Sequence, residues 1–210
     1  MDFTTASNAG YWRTTDQVAN IQASEGVTFS YWLYPRARHP VGEVFVKYGT
    51  TNEASWCTLL SQGQYTTGLR SYMRISGAYK NITVTTAQQP LNKWHHWIDT
   101  WEQSSGKRRL YRDGLVIKSQ TNAGTLSGGT TASNIDLGGR PSYNYHANSV
   151  MDDIRIWNRY LPAEEAYQVY ENSMRYDDPS LSFLQEALFT AGAAGGGAQS
   201  CNPCVLGSVI

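Results

Sequence analysis

KRRLYRDGLVIKS, residues 107–119, constrains the fold more than any other stretch of the chain. Two short runs flank Asp113-Gly114, and a two-residue hairpin turn requires positive φ, which this pair tolerates. An antiparallel pair is therefore expected here, and similar runs surround it. VTFSYWLYP (27–35) alternates Val27, Phe29, Tyr31 and Leu33 against Thr28, Ser30, Trp32 and Tyr34, closed by Pro35. EVFVKY (43–48), WCTLL (56–60), LRSYMRI (69–75), KNITVTT (80–86), WHHWIDTWE (94–102), NIDLGG (134–139) and SVMDDIRIWN (149–158) read as further strands. Many short strands with no interleaved long helices predict an all-β, two-sheet antiparallel sandwich.

One short helix is expected after the last strand. Pro162 suits a first-turn position, and Glu164 and Glu165 lie where the helix dipole favours anions. Ala166, Val169, Tyr170 and Ser173 then form a modest stripe at helical spacing. This placement explains the acidic pair without a general-acid role. From Tyr176 the composition changes, and AGAAGGGAQSCNPCVLGSVI is small and glycine-rich with an apolar end. The expected organisation is a sandwich over 1–175 and an extended Gly/Ala-rich arm over 176–210. Such an arm cannot build its own core and is expected to bury its tip on a neighbouring surface. The residues expected in assembly are Phe189, Cys201, Cys204, Val205, Leu206, Val209 and Ile210. An arm folded wholly onto its own domain would remove the support for assembly through it.

Charge excludes some partners. Lys and Arg number 17, as do Asp and Glu, so no broad field gathers nucleic acid or an anionic membrane. No run approaches the ~20 apolar residues of a membrane helix, so membrane insertion is not expected. MDFTTASNAGYWRTTD shows no basic n-region or apolar h-region, so nothing in it marks the chain for secretion. Cys57 in SWCTLL reads as a buried, inert thiol. Cys201 and Cys204 form CNPC, two of the four ligands that zinc normally takes. A local disulfide, a free dithiol or an intermolecular link stay open for them.

Val27–Pro35, Trp94–Trp101, Arg109–Val116, Ile135–Gly139 and Met151–Glu165, taken in this order, resemble the concanavalin A-like, laminin G-like jelly-roll domains. The resemblance spans roughly residues 1–175 and implies two antiparallel sheets around inward-facing aromatics. It also implies a structural calcium near the last strand, held by Asp152, with Asp153 second and a carbonyl near Gly26. The alternative reading has Asp152 or Asp153 accepting backbone N–H groups at a turn. Strict alternation groups Met151, Asp153, Arg155 and Trp157 on one face, and Asp152, Ile154 and Ile156 on the other.

No enzymatic activity is expected. A glycosidase needs two carboxylates facing one sugar. On one strand, Asp99 and Glu102 fall on opposite faces, as do Asp152 and Asp153. His96 reads as a packed, hydrogen-bonded strand histidine, and nucleophile-elbow, zincin and P-loop motifs are absent from the sequence.

Two functions follow from the resemblance. The first is a non-enzymatic virion structural protein, a capsid decoration (cement) or fibre-like component. The segment after the closing helix is similar to extensions of laminin G-like proteins encoded in bacteriophage genomes. Such a protein would assemble in the host cytoplasm, reach the virion without a signal peptide, and contact capsid or other virion proteins as a homo-oligomer. The second is a carbohydrate- or protein-binding recognition module, adhesin-like, with Trp12, Tyr143, Tyr145 and His146 as platforms for glycans.

Overall fold

Val27, Phe29, Tyr31 and Leu33 point inward from the strand Gly26–Pro35, each at most 5% exposed. The expected alternation therefore holds on the longest strand. The structure, a computed structural model, describes residues 2–3, 11–13, 25–38, 42–48, 54–62, 67–127, 135–140, 145–175 and 204–205. One sheet is ordered β1 (Asp2–Phe3), β14 (Ser149–Trp157), β3 (Gly26–Pro35), β8 (His95–Glu102), β9 (Lys107–Arg112) and β10 (Leu115–Thr121). The other is ordered β2 (Trp12–Arg13), β11 (Ile135–Leu137), β4 (Gly42–Tyr48), β5 (Ala54–Gln62), β6 (Thr67–Ile75) and β7 (Ala78–Thr85). β12 (Gly139–Arg140) and β13 (Tyr145–His146) make a small separate pair, and β15 (Cys204–Val205) lies on β14. The strand pairs are antiparallel, as an all-β jelly roll requires.

Phe29 meets Phe45 and Trp56 of the opposite sheet at ring-centroid distances of 5.4 and 4.6 Å. Trp97, Trp101, Leu69, Met73 and Ile135 complete this inter-sheet core, all essentially inaccessible to water. Burying such rings supplies most of the favourable energy, since each removes a large apolar area from water.

The Asp-Gly turn forms as its chemistry requires. Asp113 and Gly114 have φ of 52° and 77°, and Leu115 pairs with Arg112 across the two-residue loop. The Asp113 carboxylate accepts the His96 N–H at 3.0 Å and lies 2.7 Å from His95 Nδ1. A side chain at Gly114 would meet Tyr170 and Tyr167 at 2.8 and 2.9 Å, so the turn also admits the helix.

That helix, α1 (Ala163–Arg175), covers the outer face of the first sheet. Ala166 packs against Ile98 and Tyr111, and its N–H donates to the Pro162 carbonyl at 2.9 Å. Ser173 is buried and Val169 and Tyr170 are half-buried, so the expected stripe faces the sheet. Glu165 in the first turn holds Arg159 at 2.5 Å.

A polar clamp interrupts the apolar core. Arg108 is fully buried and donates from Nε and Nη2 to the two Asp99 oxygens at 3.0 and 2.6 Å. It also reaches Ser71 Oγ at 3.0 Å and the Lys80 carbonyl at 2.7 Å, both in the opposite sheet. Replacing Asp99 by Ala strands a buried guanidinium and is expected to cost about 3–5 kcal/mol in urea denaturation. Asp99→Leu combined with Arg108→Met removes both charges and is expected to recover most of that loss.

Candidate functional site

The acidic pair of β14 proves to be a backbone device. Asp152 pairs with Trp32 and Arg155 with Ser30, so three steps along β14 match two along β3. The extra residue is a β-bulge, with Asp153 at φ 45°. It resets the alternation, so Met151, Ile154 and Ile156 all enter the core. The expectation that Asp152 shares a face with the isoleucines is thereby corrected; Asp152 is exposed. Its Oδ1 accepts the Asp153 N–H at 2.9 Å, and Asp153 Oδ1 accepts from Arg155 Nε at 2.6 Å.

The calcium ligands implied by the resemblance do not come together. Gly26 pairs with Glu102, six residues along β3 from the partner of Asp152, or roughly 20 Å at ~3.3 Å per residue. A guanidinium already sits on the Asp153 carboxylate. Asp152, Asp153 and Gly26 therefore do not fit a shared calcium ion. Among the described residues, no group of three or more His, Cys, Asp or Glu is arranged to hold a metal. Gly26 serves otherwise: at φ 148°, a side chain there would meet the Trp101 carbonyl at 2.2 Å and Tyr160 at 3.0 Å.

The expected ligand platforms gather only in part. Trp12 pairs with Leu137 and packs its ring on the core, while neighbouring Tyr11 is 40% exposed. His146 pairs with Gly139, two residues beyond Leu137, so both platforms flank the same stretch of chain. Tyr145 is described in its backbone only, and Tyr143 lies outside the described residues.

A cleft that no single-strand argument reveals lies where β3 begins and β8 ends. Its volume is about 540 Å³, and Glu25, Glu102, Gln103, Ser104, Arg159 and Tyr160 line it. The Gln103 N–H donates to the Glu25 carbonyl at 3.1 Å, and the Ser105 hydroxyl donates to the Glu102 carboxylate. The Tyr160 hydroxyl accepts from Arg109 at 3.2 Å, and burial pushes its pKa up from the usual phenol value. Thr28 Oγ1 donates to the Arg159 carbonyl at 2.9 Å and accepts the Leu161 N–H at 3.1 Å. Residues of three separate segments thus line one cavity, whereas the Asp99 carboxylate is held in the core.

Cys204 and Val205 pair with Ile156 and Arg155, adding a short strand to the edge of β14 in their own chain. Phe189, Cys201, Leu206, Val209 and Ile210 lie outside the described residues, as does the Cys57 side chain. No described helix is long and apolar enough to cross a membrane.

A laminin G model, described as the concanavalin A-like lectin/glucanases superfamily, matches residues 6–166. The chain belongs to the concanavalin A-like lectin/glucanase superfamily. Among solved structures it is similar to the native heptameric SAP-like pentraxin of Limulus polyphemus, at TM-score 0.61 and 15% identity, covering 80% of each chain. It is also similar to the binding domain of Paraclostridial Mosquitocidal Protein 1, at TM-score 0.60 and 18% identity, covering 81% of this chain and 42% of that one. The botulinum neurotoxin serotype G binding domain matches at TM-score 0.60 and 14% identity, over 81% of this chain and 42% of that one. At these identities the likeness establishes the fold. No curated protein sequence matches the chain.

In this concanavalin A-like sandwich the helix seals a polar layer on the outer face. His96 is fully buried, with Nε2 at 2.8 Å from Ser30 Oγ, and its ring lies 5.1 Å from Trp32 and 5.7 Å from Tyr170. It is the packed strand histidine that the sequence indicates. Burial, and then the positive charge of Arg155, lower its pKa from 6.5 to about 3. The unfolded chain therefore binds a proton between these values that the folded chain refuses, so stability falls as pH drops through this window. The single site contributes a slope of about 1.4 kcal/mol per pH unit. In His96→Gln, urea denaturation between pH 6 and 4 is expected to show a slope shallower by that amount.

Proposed function

We propose that this chain is a non-enzymatic recognition module, binding glycan or protein at the ends of its sandwich. The observation that carries this reading is the cleft beside Tyr160, at the end of a fold whose inner faces are closed by the core and whose first sheet is covered by α1. The family name includes glucanases, and Glu25 and Glu102 share a cavity, so hydrolysis is the alternative chemistry to test. A glycan array with the intact protein is expected to show saturable binding to a subset of glycans, and no reducing ends released from those glycans. Release of reducing ends would reassign the cleft as hydrolytic, and an array and protein-capture screen both at background would end the recognition reading.

A narrower reading makes the module a virion structural protein, a capsid decoration or fibre-like component held by its C-terminal arm. The described part of the arm, Cys204–Val205, lies on β14 of its own chain and does not itself support assembly; the reading requires the same edge to accept this strand from another copy. The Limulus pentraxin, with the same fold, is a heptamer. Light scattering of the full chain is expected to show an oligomer that Val205→Pro, lacking the backbone N–H, dissociates. A full chain that is monomeric at all concentrations, or an oligomer indifferent to Val205→Pro, contradicts anchoring by the arm.

A further inference from the structure

Between Glu53 and Asp99 the sequence has no acidic residue, while Arg70, Arg74, Lys80 and Lys93 all fall in that stretch. Cationic and anionic side chains number 17 each, so the rest of the chain carries a compensating excess of four carboxylates. The fold displays part of this segregation on two opposite sides of the sandwich. We propose that the face of β6 and β7 formed by Arg70, Tyr72, Arg74 and Tyr79 binds the exposed ridge of α1 on a second copy of this chain, stacking copies back to front.

The receiving face is ordered by its own contacts. Leu69, Ser71, Met73 and Ile75 of β6 are buried, so Arg70, Tyr72 and Arg74 between them point outward. Arg74 pairs with Tyr79, and Tyr72 with Asn81, across the β6–β7 ladder. The Tyr72 and Tyr79 rings meet edge to face at 5.2 Å, and Arg70 and Arg74 lie 5.7 Å from the centres of the Tyr72 and Tyr79 rings. Arg74 Nε also donates to the Gly77 carbonyl at 3.2 Å. Tyr and Arg are side chains that dominate the centres of protein interfaces.

The ridge is complementary in charge and similar in span. Ala166 and Ser173 are buried against the first sheet, so Glu164, Gln168 and Glu171 run along the opposite side of α1. Tyr167 and Met174 are exposed on its flank. Glu171 hydrogen-bonds the Tyr167 hydroxyl, which raises that phenol's pKa. Glu164 and Glu171 are roughly 10 Å apart at 1.5 Å per helical residue, and Arg70 and Arg74 roughly 13 Å apart at ~3.3 Å per strand residue. The length of an arginine side chain covers the difference, so each guanidinium can meet one carboxylate. The two surfaces lie on the outer faces of different sheets. The contact is therefore heterologous, repeating from copy to copy, and it uses neither the end cleft nor the edge of β14.

The test is sedimentation velocity of full-length chains that all carry Val205→Pro, so that the arm cannot produce the association. At about 0.01 M salt, where the Debye length is ~30 Å, the sedimentation coefficient is expected to rise with concentration. At about 1 M salt, where it is ~3 Å, that rise is expected to vanish. Arg70→Glu with Arg74→Glu, and separately Glu164→Lys with Glu171→Lys, are each expected to abolish the rise at unchanged melting temperature. An equimolar mixture of the two reversed proteins again presents opposite charges at both contacts and is expected to associate. With 15N label in either partner, the amides of residues 70–74, 79 and 164–174 are expected to shift in that mixture. If a reversal lowers the melting temperature, Gln at the same positions is expected to weaken self-association about tenfold instead. No concentration dependence at low salt, a mixture that stays monomeric, or association without shifts at those amides would overturn the proposal. A β6–β7 face that shifts with an oligoglutamate peptide but not with a second copy would reassign it to an acidic segment of another protein and also overturn the stack.

Discussion

The Arg108 guanidinium has no contact with water, and its hydrogen bonds to Asp99, Ser71 and the Lys80 carbonyl tie the two sheets together. The aromatic core supplies most of the stabilisation, but apolar packing is non-directional and tolerates sliding. The clamp does not. Displacing one sheet by a strand position would leave a buried charge unpaired, a penalty of several kcal/mol. Phe29 can lie tilted between Phe45 and Trp56 because the sheets are held in that alignment.

With the inner faces filled, the remaining surfaces determine where a ligand can sit. α1 closes the outer face over Ile98, Tyr111 and His96, which removes the broad centre of that sheet from consideration. Three kinds of surface are left, one of them the outer face of the second sheet, where Tyr79 is 47% exposed beside Tyr72 and Arg74. The sandwich ends carry the turns, including the cleft between Glu25 and Arg159. The sheet edges carry unpaired backbone groups, and on β14 part of that edge is taken by β1 and β15.

Much of the fold was legible in the sequence. Alternation in VTFSYWLYP, the Asp-Gly turn and the Pro162–Glu165 helix start each reflect local stereochemistry, and each forms as read. The acidic pair was misread because a bulge is a property of two paired strands; nothing within MDDIRIW announces that one residue is extra. Arg108 was equally hidden: in KRRLYR it looks like a solvated charge, and only the registers of β8 and β9 place it against Asp99. The cleft was the least legible feature. Its lining comes from segments some 55 to 135 residues apart in the chain, and the search for paired carboxylates along one strand could not bring Glu25 to Glu102. Of the aromatic platforms near loops, Trp12 packs its ring against the core edge, while Tyr143 lies outside the described residues.

Closure of the helix and construction of the cleft are one event. Thr28 accepts the Leu161 N–H and donates to the Arg159 carbonyl, so the segment that leads into α1 is fixed on β3. Glu165, placed in the first turn where the helix dipole favours it, then orients the Arg159 side chain. An acidic residue that looks like routine helix-start chemistry thereby also sets the donor side of a polar cavity. Gly26 completes the junction by letting the Tyr160 backbone approach β3. The Arg159 and Tyr160 wall of the cleft is consequently placed by the segment that leads into α1.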